Sequence, residues 1–147
     1  MVDSKFNHVA SISKFIVTYY ITLSCYICLS KYNERMNTES LAALFKTLSE
    51  PVRVRITYLL LEKGELCVCD LVDTLEISQS VVSRHLAYLR NNNLVTTRRK
   101  GVWVYYRITE CCCEPLFEYI RQSGEKNSEM QADVARLEAV GQQEKCG

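Results

Sequence analysis

The sequence predicts a mainly α-helical domain with one small β-hairpin, arranged as a winged helix-turn-helix with α-helical dimerisation elements. Three observations carry this expectation. Apolar residues recur at helical spacing in successive segments from Thr38 onward, a short helix is followed closely by one with a small polar outer face, and two β-rich runs flank a Lys-Gly turn. The 147 residues suffice for one domain of ordinary size, with a core that needs no disulfide staples.

Leu41, Leu44, Phe45 and Leu48 stand at i, i+3, i+4 and i+7, the stripe of an amphipathic helix begun by Thr38. Ser49-Glu50-Pro51 closes it and opens a second helix, with Val52, Ile56, Leu59 and Leu60 as its stripe and Lys63-Gly64 as its end. Glu65 to Leu71 leads into a short third helix whose expected buried stripe is Val68, Leu71, Val72 and Leu75. Ser78 suits the N-cap of a fourth, where Val82, Leu86 and Leu89 form the core side. Ser80, Ser83, Arg84 and Ala87 cluster opposite. The runs Leu94 to Arg99 and Val102 to Ile108 then form a hairpin around Lys100-Gly101, and Pro115 starts another helix bearing Leu116, Phe117, Tyr119 and Ile120. We divide the chain into an N-terminal extension (1–35), the winged helix-turn-helix with its sensor (36–125), and a partly helical C-terminal tail (126–147).

The extension contains the apolar run Phe15 to Leu29, which is shorter than the roughly 20 residues of a spanning helix and diluted by Thr, Ser, Tyr and Cys. With Lys5 and Lys14 ahead of it, the run mimics a signal peptide. The domain after Met36 is intracellular in character, so a cytoplasmic protein with no membrane partner is expected.

A net charge of +1 hides an asymmetry. No Asp or Glu occurs from Ile77 to Thr109, where Arg84, Arg90, Arg98, Arg99, Lys100 and Arg107 fall, while the remainder carries 12 bases against 17 acids. Such a stretch suits a polyanion-facing surface or a merely solvated basic face. Combined with the helix-turn-helix, it favours double-stranded DNA: Gln79, Ser80, Ser83, Arg84 and His85 are the candidate contacts in the major groove, with Arg98, Arg99 and Lys100 on flanking phosphates. His85, near the core boundary, reads as a packed or phosphate-near side chain rather than a metal ligand.

The eight cysteines are grouped as Cys25/Cys28, Cys67/Cys69, Cys111/Cys112/Cys113 and Cys146, a spacing that suits ligation of soft ions better than a disulfide framework. Cys67 and Cys69 open the third helix, where the dipole favours thiolate. Residues i and i+2 of an α-helix point about 200° apart, so both sulfurs reach one ion only if the first turn unwinds. A Cys67–Cys69 disulfide would close a small, strained ring, which speaks against an oxidant switch there; Cys111 to Cys113 leave one open. An enzyme is not expected: Cys25-x-x-Cys28 lacks the βαβ context of a thiol-disulfide catalyst, and there is no phosphate-cradling glycine loop and no Ser/His/Asp set.

Leu66-Cys67-Val68-Cys69-Asp70-Leu71, Ser83-Arg84-His85-Leu86 with Leu89-Arg90, and Arg99-Lys100-Gly101-Val102-Trp103-Val104-Tyr105-Tyr106-Arg107 together resemble the ArsR/SmtB family of metalloregulatory repressors. The resemblance covers about residues 38–125. It implies a homodimer that holds its operator when metal-free and releases it on metal binding, with arsenite or antimonite as inducer and no organic cofactor. Val72 stands where a third cysteine often follows in the arsenical-responsive members. Three thiolates suit pyramidal trivalent arsenic, so Cys111, Cys112 and Cys113 are the expected source of the third, with a small external thiol as the alternative. Cys25 and Cys28 resemble the cadmium and lead sensors, an alternative alongside thiol redox sensing. A zinc sensor would use histidines of the last long helix, and the only histidines are His8 and His85.

Overall fold

A computed structural model describes residues 37–109 and 114–141. The chain order is α1 (Thr38–Leu48), α2 (Pro51–Lys63), β1 (Glu65–Cys67), α3 (Val68–Leu75), α4 (Gln79–Asn91), β2 (Val95–Lys100), β3 (Trp103–Ile108), α5 (Glu114–Glu125) and α6 (Ser128–Gly141). The expected winged helix-turn-helix is present, its wing enlarged to a three-stranded antiparallel sheet of order β1-β3-β2. The apolar run at 15–29 lies outside the described residues, and among those described no helix is long and apolar enough to cross a membrane.

α2 is the axis of the core. Pro51 preorganises its first turn, Gly64 ends it at φ 81°, and Ile56, Thr57, Tyr58, Leu59 and Leu60 are all buried, more than the single stripe that the spacing predicts. α1 is capped by Asn37, whose side chain accepts from the Ser40 N–H at 2.8 Å. It buries Leu44 and Thr47, whereas Leu41 and Phe45 of the predicted stripe stand 43% and 58% exposed. Arg53 of α2 ties α1 to α4: its guanidinium donates to the Thr47 and Lys46 carbonyls at the end of α1 and lies 4.5 Å from the centre of the Tyr88 ring.

The C-terminal segment packs into the core instead of trailing from it. α5 buries Phe117, Ile120 and Gly124, and α6 buries Leu137 and Asp133 while lying against α3, α2 and α5. Asp133 is fully buried and accepts two bonds from Arg55 at 2.7 Å each, with Arg136 as a further partner. Leaving such a buried charge unpaired costs about 3–5 kcal/mol, so these ion pairs fix where α6 sits. Composition hid this, because the anchor is a carboxylate and not an apolar stripe.

Gly124 lies against the Tyr58 ring, and a Cβ there would overlap the ring carbons. The ring cannot swing aside: it is buried, and its hydroxyl accepts from Gln131 Nε2 at 2.9 Å, which also donates to the Gly124 carbonyl at 3.0 Å. Gly124→Ala is therefore expected to destabilise the fold by about 1–3 kcal/mol despite the helix preference of alanine, read as a lower urea midpoint with an unchanged slope. A midpoint equal to or above wild type would show that the ring has room to yield.

Candidate thiol site and nucleic-acid interface

Cys67 is the last residue of β1 and the N-cap of α3, with extended backbone angles of φ −81° and ψ 162°. Its sulfur accepts from the Asp70 N–H at 3.3 Å, and the Asp70 carboxylate accepts from the Cys67 N–H at 3.0 Å, a reciprocal capping box with sulfur in the place of a hydroxyl. Because Cys67 stands before the helix, the opposed directions expected for i and i+2 do not apply. The sulfurs of Cys67 and Cys69 converge and are joined as a disulfide, with Cα atoms 5.4 Å apart, while α3 keeps its first turn. Two expectations are thereby corrected: the two sulfurs meet with the first turn of α3 in place, and the pair does close as a ring. Cys67 is buried and Cys69 half-buried.

The ligand atoms of Cys67, Cys69 and Asp70 lie within 4.8 Å of one another. In the reduced state this is a two-thiolate bite at a helix N-terminus beside a carboxylate, a donor set that fits a soft ion. The sequence missed the part played by Asp70, although the Cys67-x-x-Asp70 spacing is that of a capping box. Cys69 is the one cysteine within α3, and Val72, half-buried, stands where a further thiol would be.

Cys111, Cys112 and Cys113 lie outside the described residues. β1 pairs with β3 antiparallel: Cys67 faces Tyr105 and Glu65 faces Arg107, so β3 leaves from the Glu65 end. Ile108 is three residues past Tyr105, roughly 10 Å along the strand from the Cys67 register. Thr109 and Glu114, the described residues flanking the triplet, line a hollow with Leu60, Leu61 and Gly64 at the end of α2.

α4 buries Val82, Leu86 and Leu89, and leaves Gln79, Ser80, Ser83 and Arg84 exposed on the other side. Ser78 occupies the N-cap position, but its hydroxyl meets that of Ser80 at 3.3 Å instead of capping a backbone N–H. His85 is half-buried, and burial with the nearby Arg53 guanidinium holds its imidazole below the ordinary value of 6.5. It therefore adds no positive charge to this face at neutral pH.

The wing differs from expectation in one cation. Arg98 donates through Nε and a terminal nitrogen to the two Glu65 oxygens, and its guanidinium lies 5.4 Å from the centre of the Tyr105 ring. Its bond holds the Glu65 carboxyl below the usual carboxylate range. Arg99 and Lys100 are exposed and have no ion-pair partner among the described residues. In DNA-binding assays, Arg99→Ala and Lys100→Ala should each weaken binding to any duplex and lower the slope of log affinity against log salt by about one. Arg98→Ala should lower it by clearly less, since Glu65 already neutralises that charge. Equal losses for Arg98 and Lys100 would show that the pair opens on DNA.

Comparison with known proteins places these features. A sequence profile described as "Bacterial regulatory protein, arsR family" matches residues 50–97. The arsenic resistance transcriptional regulator ArsR2 of Pseudomonas putida is 44% identical over 92 residues, covering 63% of this chain and 80% of that protein. A cadmium resistance transcriptional regulatory protein CadC homolog of Staphylococcus aureus is 36% identical over 103 residues, covering 70% of this chain and 79% of its own. Among solved structures, reduced HlyU from Vibrio cholerae superposes with a TM-score of 0.55 at 32% identity, over 62% of this chain and 95% of that one.

Proposed function

Because the chain belongs to the arsR family of bacterial regulatory proteins, we propose that it is a cytoplasmic homodimeric repressor that leaves its operator when arsenite or antimonite binds Cys67 and Cys69. The observation that carries this reading is the convergence of the two sulfurs at the N-cap of α3. Gln79, Ser80, Ser83 and Arg84 enter the major groove, and Arg99 and Lys100 meet phosphate. The exposed Leu41 and Phe45 of α1 are covered by a second copy of the chain.

Cys67 belongs to two machines at once. It is the strand partner of Tyr105 in the wing sheet, and it starts the helix that leads through Glu76–Ser78 into α4. An ion held by Cys67 and Cys69 withdraws electron density from the sulfur that receives the Asp70 N–H and redirects its remaining lone pairs, so the cap is weakened. The seat of β1 and α3 then changes, and reader and wing no longer fit one DNA site together. The third donor to trivalent arsenic is one of Cys111, Cys112 and Cys113, with a small external thiol as the alternative.

A second reading is favoured by the joined sulfurs: oxidation of the same pair to the disulfide is itself the signal. The two readings separate in one experiment on the reduced protein. Cys67→Ser and Cys69→Ser should each retain operator binding and lose release by arsenite, followed by fluorescence anisotropy of labelled operator. Arsenite release at the wild-type concentration by either variant contradicts the first reading. Release of wild-type protein by peroxide but not by arsenite selects the second.

A further inference from the structure

The end of α3 remote from the thiols is held by a contact that neither the cap nor the thiol site uses. α3 ends at Leu75, and Glu76 adopts the left-handed conformation at φ 55° and ψ 38°. Arg136 of α6 reaches this end: its Nε donates to the Thr74 carbonyl at 2.7 Å and lies 3.9 Å from a Glu76 carboxylate oxygen. A last-turn carbonyl has no donor within its own helix, and a cation there is favoured by the helix dipole. A terminal nitrogen of Arg136 also bonds the buried Asp133, which Arg55 of α2 holds by two bonds at 2.7 Å. An unbroken line of charge-assisted bonds therefore runs from the core helix α2, through Asp133 and Arg136, to the last turn of α3.

We propose that Arg136 is a positioning residue that fixes the C-terminal end of α3, so that an ion bound at the thiol end tilts this helix instead of sliding it. The proposal rests on the sensor reading above. α3 is eight residues, roughly 12 Å long, so one end pinned and the other displaced makes a lever. The lever packs on α4, with Leu71 and Leu75 buried, and its pinned end is where the turn into α4 begins. Held at Thr74, α3 can answer displacement of Cys67 only by rotating, which drives Leu71 against its surroundings. Released there, it can track Cys67 along its own axis and leave α4 in place. The guanidinium suits the task, because its planar fork serves Thr74 and Asp133 together, which the single ammonium of lysine does not.

The test uses the full chain, with wild type, Arg136→Ala and Arg136→Lys in one series. Arsenite binding is read from the ultraviolet absorption of arsenic–sulfur bonds, operator affinity without arsenite from anisotropy, and release from the arsenite concentration that halves the anisotropy change. Both variants should bind arsenite and operator as wild type does, while the half-release concentration rises about tenfold, a usual size for coupling between two sites. Should Arg136→Ala melt below the assay temperature, Arg136→Lys decides, since it keeps the charge that Asp133 needs. Folded variants that release at the wild-type concentration overturn the proposal. So does a rise matched by an equal loss of arsenite affinity, which would mark Arg136 as structural support for the thiol site. A wild-type chain that ignores arsenite overturns the sensor reading itself, a result distinct from the other two.

Discussion

One residue sets the terms for the rest of the molecule: Cys67 must close a strand and cap a helix with the same side chain. As the last residue of β1 it faces Tyr105 in the wing sheet, and as N-cap it receives the Asp70 N–H on its sulfur. The extended backbone at this point turns the chain from sheet to helix and swings the sulfur towards Cys69. A cysteine one residue later would lie inside the helix and face away from its neighbour at i+2. Strand end, cap and thiol bite are thus one geometric solution.

Magnitudes say what an ion at this point must accomplish. Moving a two-state repressor from almost wholly bound to almost wholly released requires the ligand to prefer the released form by about 5.5 kcal/mol. Weakening of a side-chain cap accounts for at most about 0.5–2 kcal/mol, and a ligand shifts an equilibrium only by its differential affinity. The larger share must come from how the thiol pair is seated in the two forms, through the β1–β3 pairing and the packing of α3. That is why the elements around α3 matter beyond the sulfurs: the wing strand on one side, and α6 with its buried Asp133 on the other.

Much of this was legible in the sequence, and the gaps have physical causes. Apolar periodicity located the core sides of α2 and α4, since Ile56, Leu59, Leu60, Val82, Leu86 and Leu89 are buried through side-chain packing alone. The exposure of Ser80, Ser83 and Arg84 came from the same period. Periodicity misled at α1, where an apolar Leu41 and Phe45 face outward, because apolar character marks a surface to be covered and not what covers it. It was silent about α6, whose anchor is Asp133, and about Arg98, which Glu65 occupies from across the sheet. The direction of the two sulfurs was misread for a narrower reason. It depends on whether Cys67 is the first residue of the helix or the cap before it, and a one-residue boundary lies beyond the reach of spacing.

The central claim is that the thiol pair binds its ion with α3 intact. Amide hydrogen exchange of the reduced protein, with and without saturating arsenite, tests it most directly. The account predicts that the amides of Val72 to Leu75, which donate within α3, stay protected on loading, while exchange quickens at the Asp70 amide and along the β1–β3 pairing. Loss of protection throughout α3 in the arsenite complex would contradict it, and would mean that the helix must unwind before both sulfurs can reach one ion.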